Sequence, residues 1–185
     1  ATGLPLDPYF SAAKLGWILR ENPTAQRLHA GGRLRLGTTD AYFRDRLAGR
    51  FETDVTTASR TSLMNLRTRA WDPALCALFG VPMDALPTVV PSYGDLARTD
   101  PSCFLGLDLP VTGIAGDQQA ALFGQCAFSP GDAKCTYGTG SFVLVNTGAD
   151  AISSHAGLLT TVAYGAPDGR LTYALEGSVF VTGAA

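Results

Sequence analysis

The 185-residue chain changes character at Ser129-Pro130-Gly131, and that change constrains its fold more than any other feature. Before it, apolar residues recur at three- and four-residue spacings between proline- and glycine-bearing breaks, which is helical patterning with an occasional short strand. After it come short runs rich in β-branched and aromatic residues, separated by glycine turns, which is strand patterning. Helices with strands first and a run of strands afterwards imply an α/β protein whose two parts meet near residue 129.

In the first part, Asp7-Pro8 offers a helix start, and Phe10, Ala13, Lys14, Trp17 and Ile18 keep a helical period until Asn22-Pro23. Thr39-Asp40 would cap a helix over Ala41 to Ala48, closed by Gly49, and Arg44, Asp45 and Arg46 would form its solvated face. Trp71-Asp72-Pro73 begins another helix, which Gly80 ends. From there to Pro101 the chain reads as a connection punctuated by Pro82, Pro87 and Pro91. Leu109 to Ile114 reads as a strand leading through Gly116-Asp117 into a helix from Gln118 to Gln125. Beyond the break, Lys134 to Tyr137, Ser141 to Asn146, Leu158 to Tyr164 and Leu171 to Leu175 are predicted strands of an antiparallel meander.

A 46% hydrophobic and 16% charged composition is enough apolar surface for a packed core. The net charge of −2 gives no attraction toward nucleic acid or an anionic membrane. No apolar run approaches the ~18–20 residues of a bilayer span. Cys76, Cys103, Cys126 and Cys135 lie 27, 23 and 9 positions apart with no C-x-x-C pair, so a zinc site is not expected and reduced cytoplasmic thiols are. The chain lacks an initiator methionine and stops at Val181-Thr182-Gly183-Ala184-Ala185 without a closing element. It is expected to be an internal piece of a longer protein.

Two phrases can carry chemistry. In Gly113-Ile114-Ala115-Gly116-Asp117-Gln118-Gln119, a carboxylate stands where a strand gives way to a helix, with glycines leaving room around it. Such a group can take the proton of a bound hydroxyl, or it can simply cap the helix, and the local pattern leaves both open. In Thr136-Tyr137-Gly138-Thr139-Gly140-Ser141-Phe142, two glycines around a threonine make a tight turn whose N–H groups could face phosphate oxygens. An ordinary hairpin is the other reading. Neither G-x-G-x-x-G nor a P-loop phrase is present. His29 and His155 stand apart as surface residues, and Tyr9 beside Phe10 could be a pocket wall or core.

With Leu6 to Ser11, Thr53 to Thr61 and Tyr173-Ala174-Leu175-Glu176-Gly177, these phrases resemble, in order, the FGGY carbohydrate kinases. The resemblance implies an actin-like, ribonuclease-H-like fold, with residues 1–126 the later part of a first domain and 127–185 the opening β-meander of a second. It implies ATP-dependent phosphorylation of glycerol, or of another polyol or ketose such as xylulose, by a cytoplasmic homo-oligomer. A non-catalytic ATPase-fold interaction module is the alternative of another class. On this resemblance Asp117 is the general base and meets Mg²⁺ through water. Tyr9, Asp117, Gln118 and Phe142 contact the substrate, and Gly138, Thr139 and Gly140 meet the phosphates of ATP. The phosphate hairpin and the substrate-binding Arg-Glu pair of the family are not matched in these residues, so the piece alone is expected to be inactive. Ser102 to Asp108 lacks the Gly-x-Arg loop that would bind fructose 1,6-bisphosphate.

Overall fold

The computed structural model describes residues 1–138 and 140–180, and of Phe180 the backbone alone. The described chain opens with three helices, α1 (Ser11–Glu21), α2 (Pro23–Ala30) and α3 (Thr39–Ala48). Strand β1 (Glu52–Asp54) then runs directly into α4 (Val55–Ser59), and β2 (Met64–Asn65) and β3 (Ala70–Trp71) precede α5 (Pro73–Phe79). A 3-10 turn (Met83–Ala85), β4 (Thr88–Val90), β5 (Tyr93–Arg98), β6 (Pro110–Gly113) and α6 (Asp117–Gly124) follow. Four strands come last: β7 (Ala133–Tyr137), β8 (Gly140–Gly148), β9 (Leu159–Gly165) and β10 (Leu171–Phe180).

Local chemistry explains the helix ends. Asp7 does not start α1: its carboxylate accepts from Tyr9 N at 2.7 Å and closes a turn, and the helix begins at Ser11. Asn22-Pro23 ends α1 as expected, but it also starts α2. Asn22 Oδ1 accepts from Thr24 N and Ala25 N, with Pro23 at the first helical position. Asp72 caps α5 in the same way, and Gly80 leaves it at φ 65°, a left-handed turn that favours glycine. α3 differs from its expected solvated face at Arg44. This residue is buried and paired with Glu52, with a second, longer contact to Leu96 O at 3.5 Å.

The stretch from Gly80 to Pro101 holds strands rather than a plain connection. β4 pairs parallel with β1, and β5 pairs antiparallel with β6. The prolines hid β4, since Pro87 and Pro91 flank it at positions where no ladder N–H is needed, while β6 falls within the strand expected over Leu109 to Ile114.

The last four strands form one antiparallel sheet in the order β7-β8-β10-β9. This corrects the meander, since β9 does not follow β8 in space. β10 sits between them, paired with both. At β9 and β10 both faces of the sheet pack on the preceding residues, since the neighbours Val162 and Ala163 point to opposite sides. Leu122 of α6 and Ala127 share a core with Leu144, Ala163 and Ala174. Val55 and Ala58 of α4, with Met64 and Leu66, share another with Val162 and Tyr173. A third cluster, of Ala12, Leu15, Leu36, Leu63, Cys76, Val81 and Ala85, binds α1 to α5.

Gly16 is where that third cluster is tightest. A Cβ there would run into the Phe79 carbonyl oxygen and reach 3.2 Å from its carbon. Gly16→Ala gains about 1 kcal/mol of helix propensity but forces α1 off α5, an overpacking loss of about 1–3 kcal/mol. The backbone atom cannot rotate away, which puts the loss at the upper end of that range, so a net loss of about 2 kcal/mol is expected. A urea midpoint equal to or above that of the wild type would show that α1 and α5 separate freely.

Candidate active site

The carboxylate of Asp117 is placed by a chain of hydrogen bonds that begins in the core. Asp54, with no exposed surface, caps α4 by accepting from Thr56 N and Thr57 N, and also accepts from the hydroxyls of Thr56 and Ser92. The same Thr56 hydroxyl accepts from Gly116 N at 2.8 Å. The loop before α6 is thus tied to the buried end of β1. A side chain at Gly116 would displace Gln119, since a Cβ there would lie 2.6 Å from Gln119 Oε1. The Gln119 amide is itself held inside the protein, donating to Thr161 Oγ1 at 3.2 Å.

Asp117 is the first residue of α6, after Gly116 at the cap position. It does not cap the helix, although the helix dipole favours a carboxylate there. Its side chain is exposed, and Oδ2 accepts from Gln118 Nε2 at 3.0 Å. Asp117, Gln118 and Tyr9 all line one cavity of about 430 Å³, together with Thr38, Asp40, Thr57 and Arg60. Tyr9 is therefore a wall, 51% exposed, while the neighbouring Phe10 it meets edge-on is the core residue.

The other expected site residues lie outside that lining. Phe142 is half-buried on β8, on the same sheet face as Leu144. Gly138 N–H donates to Gly140 O at 2.9 Å and closes the β7–β8 hairpin. A Cβ at Gly140 would come 3.1 Å from the Phe142 ring and 3.2 Å from Val179 O, so close strand packing already favours glycine there. Thr139 lies outside the described residues. His155 is exposed, and His29 lies 3.8 Å from Asp84 on the surface, away from the cavity.

Three charged residues carried no role in the sequence reading: Arg60, which lines the cavity, and Glu176 and Lys134, which bond to the lining residues Arg60 and Gln118. Arg60 donates to Glu176 Oε1 at 2.8 Å and stacks over Phe10, 5.4 Å from its centroid. Glu176 is 1% exposed and Lys134 is 5% exposed. Burial pushes the Glu176 carboxyl above its ordinary range, with Arg60 pulling part of the way back. Burial likewise pushes the Lys134 ammonium down, opposed by Glu176 and Asp117. The signs agree. The Glu176 contribution is present in acid and fades as pH rises through its folded value, and the Lys134 contribution is present in alkali and fades as pH falls through its own. Between those values both are ionised at a cost. A lone lysine and a lone glutamate at inward strand positions were the available signals, since such residues are almost never fully buried unless paired.

The four cysteines are free, and only Cys76 is buried, its thiol pushed up by burial. Among the described residues, no three of His, Cys, Asp and Glu gather to hold a metal ion, and no helix is long and apolar enough to cross a membrane.

Residues 1–124 match the FGGY family of carbohydrate kinases, N-terminal domain. The chain is 50% identical over 186 aligned positions to a glycerol kinase of Bdellovibrio bacteriovorus, covering all of this chain and 38% of that protein. It is 53% identical to a glycerol kinase of Alcanivorax borkumensis, again over its whole length and 37% of the relative. The chain thus spans less than two fifths of these curated relatives. Among solved structures, Plasmodium falciparum glycerol kinase with ADP superimposes with a TM-score of 0.89 at 37% identity, over 97% of this chain and 36% of that one. A xylulose kinase from Rhodospirillum rubrum gives 0.80 at 25% identity, over 98% and 36%.

Proposed function

The chain belongs to the FGGY family of carbohydrate kinases, an actin-like fold, and on that premise we propose that the protein containing it transfers the γ-phosphate of ATP to a hydroxyl of glycerol. The observation that carries the reading is the cavity in which Asp117, Gln118 and Tyr9 meet. Asp117 is the general base. Its Oδ2 is held by Gln118, and among the described residues nothing bonds Oδ1, which leaves lone pairs to accept the hydroxyl proton. As the proton passes to Asp117, the substrate oxygen bonds the γ-phosphorus, and the bond from that phosphorus to the departing ADP oxygen breaks.

Tyr9 and Gln118 would flank the polyol from the cavity side, and Phe142 from the sheet. Gly138, Thr139 and Gly140 would turn toward the phosphates. In that role the Gly138 N–H would have to exchange its present bond to Gly140 O for a phosphate oxygen. A lone exposed carboxylate suits Mg²⁺, which keeps its waters and sits mainly on nucleotide phosphates, with Asp117 reaching it through water. When bound, that ion offsets charge on the transferring group. The match of residues 1–124 to an N-terminal domain supports a domain boundary near residue 126, with residues 127–185 opening the second domain.

Phosphorylation of xylulose or another ketose is the second reading, favoured by the R. rubrum likeness. Identity to the glycerol kinases, at 50–53%, is twice that 25%, which ranks glycerol first. The test is ATP turnover by the full-length protein against glycerol, other polyols and ketoses. Glycerol is expected to give the highest kcat/KM, by at least about tenfold, a difference of about 1.4 kcal/mol in transition-state binding. A ketose ahead of glycerol would move the assignment to the second reading, and no turnover with any of them would leave the interaction-module alternative standing.

A further inference from the structure

Lys134 sits on β7 in a cross-strand row with Leu144 of β8 and Glu176 of β10, all on the sheet face that packs against α6. A lysine there is costly, and its ammonium has three donors and no acceptor. Each donor has a partner. One goes to Gln118 Oε1 at the start of α6, one to Thr136 Oγ1 at 2.9 Å, and one, longer, to Phe142 O at 3.4 Å. Thr136 and Phe142 are paired across the base of the β7–β8 hairpin. One side chain therefore ties the residue beside Asp117 to the two strands that carry the Gly138–Gly140 turn.

The chemistry of the three groups in line permits one arrangement. The Asp117 carboxylate can only accept, and the Lys134 ammonium can only donate. The Gln118 amide lies between them, giving its NH₂ to Asp117 Oδ2 at 3.0 Å and receiving Lys134 on Oε1. Turned over, the same amide would set oxygen against carboxylate and NH₂ against ammonium. We propose that Lys134 is a positioning residue for the transfer reaction: by locking the Gln118 amide, it aims the Asp117 carboxylate into the cavity and holds the β7–β8 turn at a fixed distance from it. This rests on Asp117 being the base. Lys134 touches no substrate and acts through Gln118.

The test is a double-mutant cycle in the full-length kinase with glycerol and ATP, since residues that act through one contact lose activity non-additively. Lys134→Met is expected to lower kcat 10- to 100-fold, with the glycerol KM changing less than about threefold. Once Gln118→Ala is present, adding Lys134→Met should cost less than a further threefold. Wild-type kcat in Lys134→Met, or losses that multiply in the double variant, would overturn the proposal. If Lys134→Met does not accumulate folded, Lys134→Arg takes its place. Its longer fork displaces the Gln118 amide, so a kcat loss that vanishes in the Gln118→Ala background supports the proposal, and one that persists there overturns it. Asp117→Asn run alongside separates the two levels. If that variant is inactive while the Lys134 cycle is additive, only the positioning role falls; if it is fully active, the base assignment falls too.

Discussion

Replacing Asp117 by Asn in the full-length kinase is expected to lower kcat with glycerol by about 10²- to 10⁴-fold, the usual contribution of a positioned general base. Asn has the same shape, and its oxygen can still accept from Gln118 Nε2, now 3.0 Å from Asp117 Oδ2. Glycerol should therefore bind with little change in KM while the proton has nowhere to go. That split distinguishes a lost base from a disturbed pocket. A kcat within about threefold of wild type would remove Asp117 from the chemistry.

The second large effect is structural. Asp54→Ala should destabilise the fold by about 3–5 kcal/mol. A single lost helix cap costs about 1 kcal/mol. Here the same carboxylate also holds the hydroxyls of Thr56 and Ser92, 2.9 and 2.7 Å away, and Asp54 has no exposed surface through which water could replace it. Buried groups left without a partner cost about 1–3 kcal/mol each, which outweighs the gain from no longer burying a charge. Since m is about 1–3 kcal/mol/M in urea, the midpoint should fall by more than about 1 M. A loss under about 1 kcal/mol would mean that Thr56 and Ser92 find other partners. Because Thr56 receives Gly116 N–H at 2.8 Å, the variant should also be less active than its remaining folded fraction explains.

The parts of the fold that showed in the sequence were those set by neighbours in the chain. Asp72 before Pro73, Gly49, Gly80 and the four late strands all follow local rules of capping, turns and β-branching. What stayed hidden depends on distant partners. Arg44 looks like surface in a charged run, yet Glu52, eight residues on, draws it inside. β4 and β5 look like proline-broken coil until β1 and β6 pair with them. The candidate site divides along the same line. Asp117 stood out because a strand-to-helix turn with flanking glycines has a local signature, whereas Gln118 beside it was reached only through the family resemblance. Glu176 is tied to the cavity only through its bond to Arg60, 116 positions earlier, and no spacing rule reaches that far.

The sheet order has a kinetic side. β10 is the latest of the four strands in the chain, yet it is the one that both β8 and β9 pair with. As the chain is made, β7 and β8 can close their hairpin at once, but the inner edge of β8 and the whole of β9 have no sheet partner until β10 emerges. During synthesis at roughly 5–20 residues per second, that leaves open strand edges of the kind that pair with other chains. The ion pair from Arg60 to Glu176 forms only when β10 goes in. The step that joins β9 to β8 through β10 is thus the same step that gives Arg60, on the wall of the candidate cavity, its carboxylate partner, so a molecule stalled before it would be aggregation-prone and would leave that wall without its ion pair.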